Sequence, residues 1–111
     1  MSKAVMYVES RPVSAERDAE FNTWYEEVHI PEVVTLDGFV GARRFARTSE
    51  DGPYTAMYEI DADDVDAVVQ AMFEAVTSGK LHMSDSFQMD PPPVMRVLKQ
   101  VFDYEAPAKD A

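Results

Sequence analysis

A chain of 111 residues, 46% of them hydrophobic, is sized for one domain with its own core, and its lack of cysteine excludes disulfides and thiolate metal sites. The net charge of −11 argues against nucleic-acid and anionic-membrane partners, because phosphate-bearing surfaces are bound by clustered Lys and Arg. No run approaches the roughly 20 apolar residues of a membrane helix, and the first residues read as a strand rather than a cleavable leader, so a cytoplasmic address is expected.

In chain order, Lys3 to Glu9 alternates, with Ala4, Met6 and Val8 on one side and Val5 and Tyr7 on the other, the period of a strand. Arg11-Pro12 ends it, since proline has no N–H to give a ladder. Ser14 has the side chain of an N-cap. From Ala15 the period becomes helical, with Phe21, Trp24, Tyr25, Val28 and Glu32 on one face. Pro31 is expected to end or kink this helix near His29, leaving Glu32 to Leu36 as one further turn before Asp37-Gly38. Phe39 to Arg47 reads as a second strand, with Val40, Ala42, Arg44 and Ala46 on one face and Phe39, Gly41, Arg43, Phe45 and Arg47 on the other. A turn at Glu50-Asp51-Gly52-Pro53 leads into a third strand, Tyr54 to Ile60, closing a hairpin.

Asp61 to Asp64 supplies caps and negative charge to a second helix, whose apolar stripe is Val65, Val68, Val69, Met72, Phe73 and Val76 and whose end is Gly79. Leu81 to Pro93 is a polar, proline-rich loop of a length often used as a lid or binding segment. Val94 to Tyr104 reads as the fourth strand. Residues 1–105 are expected to form one domain and 106–111 a flexible tail.

The order strand, helix, strand, strand, helix, strand specifies an α+β, ferredoxin-like βαββαβ fold: a four-stranded antiparallel sheet with two helices on one face. The other face would be bare, and a second copy would cover it in a homodimer. Met6, Phe45, Tyr54, Tyr58, Val97 and Val101 are the residues expected to be buried only in that pair.

Polar groups with chemical potential gather at the end of the first helix. Asn22, Tyr25, Glu26 and His29 stand at i, i+3, i+4 and i+7, one stripe beside the apolar face. His29 is suited to proton transfer near neutral pH, Tyr25 to donating a hydrogen bond to a carbonyl or enolate, and Arg43 or Arg44 to holding an anionic group. Glu26 lies close enough in sequence to orient the His29 ring. A helix-end histidine can also do no more than meet the last carbonyls. His82 lies with Ser84, Asp85 and Ser86 in the long loop, but no Gly-x-Ser-x-Gly elbow accompanies them. No ligand spacing marks a metal site and no glycine loop marks a nucleotide or flavin, so neither metal nor cofactor is expected.

The string Phe21-Asn22-x-Trp24-Tyr25-x-x-x-His29-Ile30-Pro31 is followed by Gly38-Phe39-Val40-x-Ala42-Arg43-Arg44-Phe45, and Pro91-Pro92-Pro93 leads into Val94. Together they resemble the dimeric α/β-barrel superfamily, specifically its EthD-like branch, over roughly residues 3–104. The resemblance implies a homodimeric barrel of ferredoxin-like chains acting on a small molecule. Its members include aromatic cyclases, small monooxygenases, lactone isomerases and decarboxylases. The family's helix histidine falls on His29 and its tyrosine neighbour on Tyr25; a second, sheet-borne histidine of some cyclases has no counterpart. The implied function is a cofactor-independent enzyme of cyclase, isomerase or lyase type, moving a proton on a small aromatic or ketone-bearing molecule. His29 and Tyr25 would be catalytic, and Asn22, Trp24, Arg43, Arg44 and His82 would bind substrate. A non-catalytic ligand-binding or accessory protein and a cofactor-free monooxygenase are the alternatives.

Overall fold

The computed structural model describes residues 2–49 and 51–109. Strand β1 (Ser2–Ser10) buries Ala4, Met6, Val8 and Ser10 and leaves the residues between them half-buried or exposed, as the pleat requires. It runs antiparallel between β3 (Tyr54–Ala62) and β4 (Val94–Lys99), and β2 (Phe39–Phe45) completes the order β2-β3-β1-β4. The helical crossovers lie on one face of this sheet. The fold is therefore the α+β, ferredoxin-like one that the element order specifies.

The first crossover departs from a simple helix. A 3-10 turn (Ala15–Arg17) leads into α1 (Asp18–Trp24), a π-helical turn (Tyr25–His29) and α2 (Ile30–Val33). Ser14 does not cap with its side chain; its carbonyl accepts the Arg17 N–H at 3.1 Å. Nor does the coil end at His29. The Ile30 N–H donates to the Tyr25 carbonyl five residues back, and this wider turn gives room just where Pro31 would press on the carbonyl four residues before it. The insertion also rotates the inward face. Phe21, Trp24, Tyr25, His29 and Val33 are buried, whereas Val28, expected there, is half-buried.

A second local irregularity corrects the reading of β2. Phe39 pairs with Ile60 and Gly41 with Glu59, leaving Val40 as a bulge. Phe39 therefore joins Ala42 and Arg44 on the helix side, although strict alternation placed it opposite them. The strand ends at Phe45, and the turn expected at Glu50 lies partly outside the described residues. The second helix, α3 (Val65–Thr77), begins as expected, with the Asp64 side chain accepting the Ala67 N–H at 3.1 Å. It buries Val69, Met72 and Ala75 and leaves Phe73 exposed. β4 stops at Lys99, five residues short of the expected Tyr104; the last ladder bond runs from the Gln100 N–H to Lys3 at 2.8 Å. Of the tail expected over 106–111, residues 110 and 111 lie outside the described residues.

The core fills the space between crossovers and sheet. Met6 and Tyr58, expected to await a second copy, are already covered by the helices at 2% and 1% exposure. Tyr54 faces the same way and donates to Asp18 at 2.7 Å. These three share the inward parity of β1 and β3, so only Phe45, Val97 and Val101 of the expected interface set are exposed. No helix among the described residues is long and apolar enough to cross a membrane.

Gly38 holds the junction of α2 and β2. Its φ is +91°, its carbonyl accepts the Asp61 N–H at 2.9 Å, and an added Cβ would stand 2.5 Å from the Val68 side chain. Gly38→Ala should cost about 1–3 kcal/mol, read as a fall in the urea midpoint with an unchanged slope. An unchanged midpoint would mean that the junction relaxes freely.

Candidate functional site

The π-turn sets the geometry of the site, because it carries His29 inward over the sheet. The imidazole is 7% exposed. It stacks on Trp24 with ring centroids 4.6 Å apart at 24°, and meets Tyr25 and Tyr58 edge-on at 5.2 and 6.3 Å. Its Nδ1 is fully buried without a hydrogen-bond partner. Burial lowers the His29 pKa from 6.5 to about 4, the Glu32 carboxylate opposing this only in part. At neutral pH the ring is therefore neutral and holds an unused lone pair.

This histidine lines a cavity of about 170 Å³ between the helices and the sheet. Five of the chain's seven methionines line it with His29: Met6 on β1, Met72 on α3, Met83 and Met89 in the long loop, and Met95 on β4. Val8, Val76, Phe73, Phe87 and Pro93 fill in between, and apart from the thioethers only the side chains of His29, Tyr25 and Tyr58 bring polar atoms among the described residues. The Tyr58 hydroxyl is buried without a partner, and burial, then its Tyr25 neighbour, raises its pKa, so it stays protonated. The Tyr25 hydroxyl accepts a long bond from Ser10 Oγ at 3.4 Å. Met83, Met89 and Met95 are exposed, so the cavity opens to solvent along them.

The long loop is tied down where it forms the wall. Trp24 Nε1–H donates to the His82 carbonyl at 2.8 Å, Val13 N–H to Ser86, and Gln88 N–H to Arg11. Met83 and Met89 of the loop, Met95 of β4 and Phe87 are the part of the cavity that sequence reasoning missed. The available signal was their density in an otherwise polar stretch, with Met83, Met89 and Met95 within thirteen residues.

The other expected site residues separate. Arg44 reaches back under the first helix, with its guanidinium 4.4 Å from the Tyr25 ring and 5.0 Å from that of Tyr54. It donates to Asn22 Oδ1 at 2.9 Å and pairs with Glu26 at 3.0 Å. Asn22, Glu26 and Arg44 thus form a bracket behind Tyr25, and Glu26 serves Arg44 rather than the His29 ring. Arg43 points to the helix-free face and pairs with Glu59. His82 is exposed and holds Glu32, its ring Nδ1 2.5 Å and its N–H 2.7 Å from that carboxylate, which lowers the Glu32 pKa. Neither Arg43 nor His82 lines the cavity. Among the described residues no acidic, histidine or cysteine cluster could hold a metal ion by itself.

No protein-family profile and no curated protein matches the sequence. Solved structures do match in shape. One is a mutant of MhuD with two manganese protoporphyrin IX molecules per active site: TM-score 0.68, 14% identity, 93% of this chain and 99% of that one. Another is the heme-degrader MhuD from Mycobacterium tuberculosis with two hemes bound in its active site: TM-score 0.63, 13% identity, 92% and 99% coverage. These findings count against the cofactor-independent cyclase, isomerase or lyase expected from the sequence, and against its cofactor-free alternatives, since the matching folds hold metalloporphyrins. What the likeness establishes for this chain is its architecture: it has a ferredoxin-like α+β fold similar to that of MhuD.

Proposed function

We propose that this chain binds a heme-like metalloporphyrin in the cavity beside His29, with the imidazole as a ligand to the metal. The observation that carries the reading is the neutral, partnerless imidazole, 7% exposed, on the wall of an apolar cavity. A neutral imidazole is a metal ligand; a protonated one is not. The lining fits the flat faces of a macrocycle, since methionine adapts its shape and contacts aromatic rings through sulfur. Among the described residues no Lys, Arg, Asp or Glu lines the cavity, so charged substituents of the macrocycle would stay at the mouth. The volume of about 170 Å³ is below the roughly 300–1,000 Å³ of ligand pockets. A whole macrocycle therefore requires the flexible Met83 and Met89 side chains at the mouth to swing aside.

When bound, an iron porphyrin supplies electron-transfer and oxygen chemistry. The chain's own part is to hold it, exclude water with the methionine wall, and keep His29 neutral. Oxidative breakdown of the porphyrin is the activity implied by analogy of fold with MhuD. Titration with hemin tests the binding. Saturable change in the porphyrin absorption band is expected, weakened roughly 10–100-fold or more in His29→Leu. No saturable binding, or equal affinity in the variant, would overturn the proposal.

Three further readings belong to it. The Trp24-Tyr25…His29-Ile30-Pro31 string supports the EthD-like branch, the absence of cysteine a cytoplasmic address, and the helix-free sheet face a homodimer. Residues 1–105 act as one domain, with 106–111 as its tail.

A further inference from the structure

The cavity beside His29 gathers the chain's soft donor atoms. Five of the seven methionines and one of the two histidines line it, and the sequence has no cysteine to offer a softer ligand elsewhere. Of the donors left over, Met1 lies outside the described residues, Met57 stands in β3 opposite Tyr7, and His82 is held by Glu32 away from the cavity. Packing alone does not account for this set. A methionine that fills a gap in a core is buried, as Met6 and Met72 are. Met83, Met89 and Met95 are 43%, 64% and 38% exposed, yet they line the same cavity. What they share is a thioether at the mouth of a space whose inner wall carries an imidazole.

That imidazole is the second observation. His29 is more than nine-tenths buried, and its Nδ1 has no hydrogen-bond partner. A buried polar atom left without a partner calls for one. The donor set also decides which ion fits. Thioether and imidazole are neutral ligands, and among the described residues no carboxylate lines the cavity. A divalent ion would keep its full charge in apolar surroundings, and the cost of burying charge rises with its square. Singly charged Cu(I) costs least, and thioethers select it because they are soft. Size agrees. A cavity of about 170 Å³ takes a single ion as it stands, whereas a porphyrin requires Met83 and Met89 to swing aside.

We infer that this cavity binds one Cu(I) ion, with a ring nitrogen of His29 and the thioethers of Met83, Met89 and Met95 as its ligands. Met6 and Met72 form the floor beneath the ion. The inference goes beyond the porphyrin reading and does not rest on it. Both ligands need His29, so they exclude each other. Cu(I) draws the mouth methionines inward, and a porphyrin drives Met83 and Met89 out.

Anaerobic titration of the full chain against bathocuproine disulfonate, a coloured Cu(I) chelator, tests this. Wild type should withdraw one equivalent of Cu(I) from the chelator. The volume-conserving variant Met83→Leu/Met89→Leu/Met95→Leu and the single variant His29→Leu should each bind roughly 100-fold more weakly or worse, since each removes ligands. Circular dichroism checks that both remain folded. Copper X-ray absorption of the wild-type complex should show sulfur and nitrogen neighbours together, a readout that stands even if a variant fails to fold. The inference is overturned if wild type withdraws no Cu(I), if the copper has no sulfur neighbour, or if a folded variant binds as tightly as wild type. Hemin titration reads the porphyrin proposal separately, so either can fail alone.

Discussion

Replacing Trp24 by alanine should cost about 3–5 kcal/mol, the usual loss for a buried aromatic cut to a methyl group. That is a third or more of the ~5–15 kcal/mol that holds a domain together. The indole stacks on His29, meets Tyr25 and Phe87 edge-on, and donates Nε1–H to the His82 carbonyl. Its removal opens a void between helix and loop and strips the carbonyl of its donor. Trp24→Phe keeps one aromatic ring but loses the hydrogen bond and part of the buried indole volume, so it should cost less than Trp24→Ala, about 1–3 kcal/mol. Urea unfolding measures both. A loss under about 1 kcal/mol for Trp24→Ala would mean that the indole does not anchor loop to helix.

The second large effect is a pH dependence of stability. His29 holds its proton less readily in the folded chain, at about 4 against 6.5, so between these values the unfolded chain binds more protons. Stability from this group is full above about 6.5 and is lost as pH falls through 6.5 toward 4. The loss amounts to about 3 kcal/mol. Carboxylates titrate near the lower end of the window, so the informative quantity is the difference between wild type and His29→Phe, which keeps a ring on Trp24 but cannot titrate. The two stability profiles should diverge below pH 6.5, with the variant the flatter. Parallel profiles would place the ordinary pKa on a buried imidazole and contradict the burial seen here.

Much of the architecture was legible because period and punctuation agree along the chain. Alternation in β1 and β3, the Asp64 cap and the glycines at 38 and 79 each specify one local structure, and together they give the order of elements along the chain. What was not legible depends on single inserted residues. The π-turn before Pro31 and the bulge at Val40 each shift a face by one position, and periodicity cannot register such a step. The same limit decided the site. His29 and Tyr25 stood out by chemistry, and they do line one cavity. The cation bracket behind Tyr25 and the outward turn of Arg43 follow from strand parity once the bulge is known. His82 and the loop methionines are placed by the loop's hydrogen bonds to Trp24, Glu32 and Arg11, long-range contacts that no local pattern encodes.

Ligation of a porphyrin metal by His29 is tested most directly by the electron paramagnetic resonance and resonance Raman spectra of the hemin-loaded chain. Wild type should show a nitrogenous axial ligand. His29→Gly should lose that signature while remaining folded, and added imidazole should restore it by entering the space left behind. A His29→Gly spectrum identical to wild type would contradict His29 as the metal's ligand.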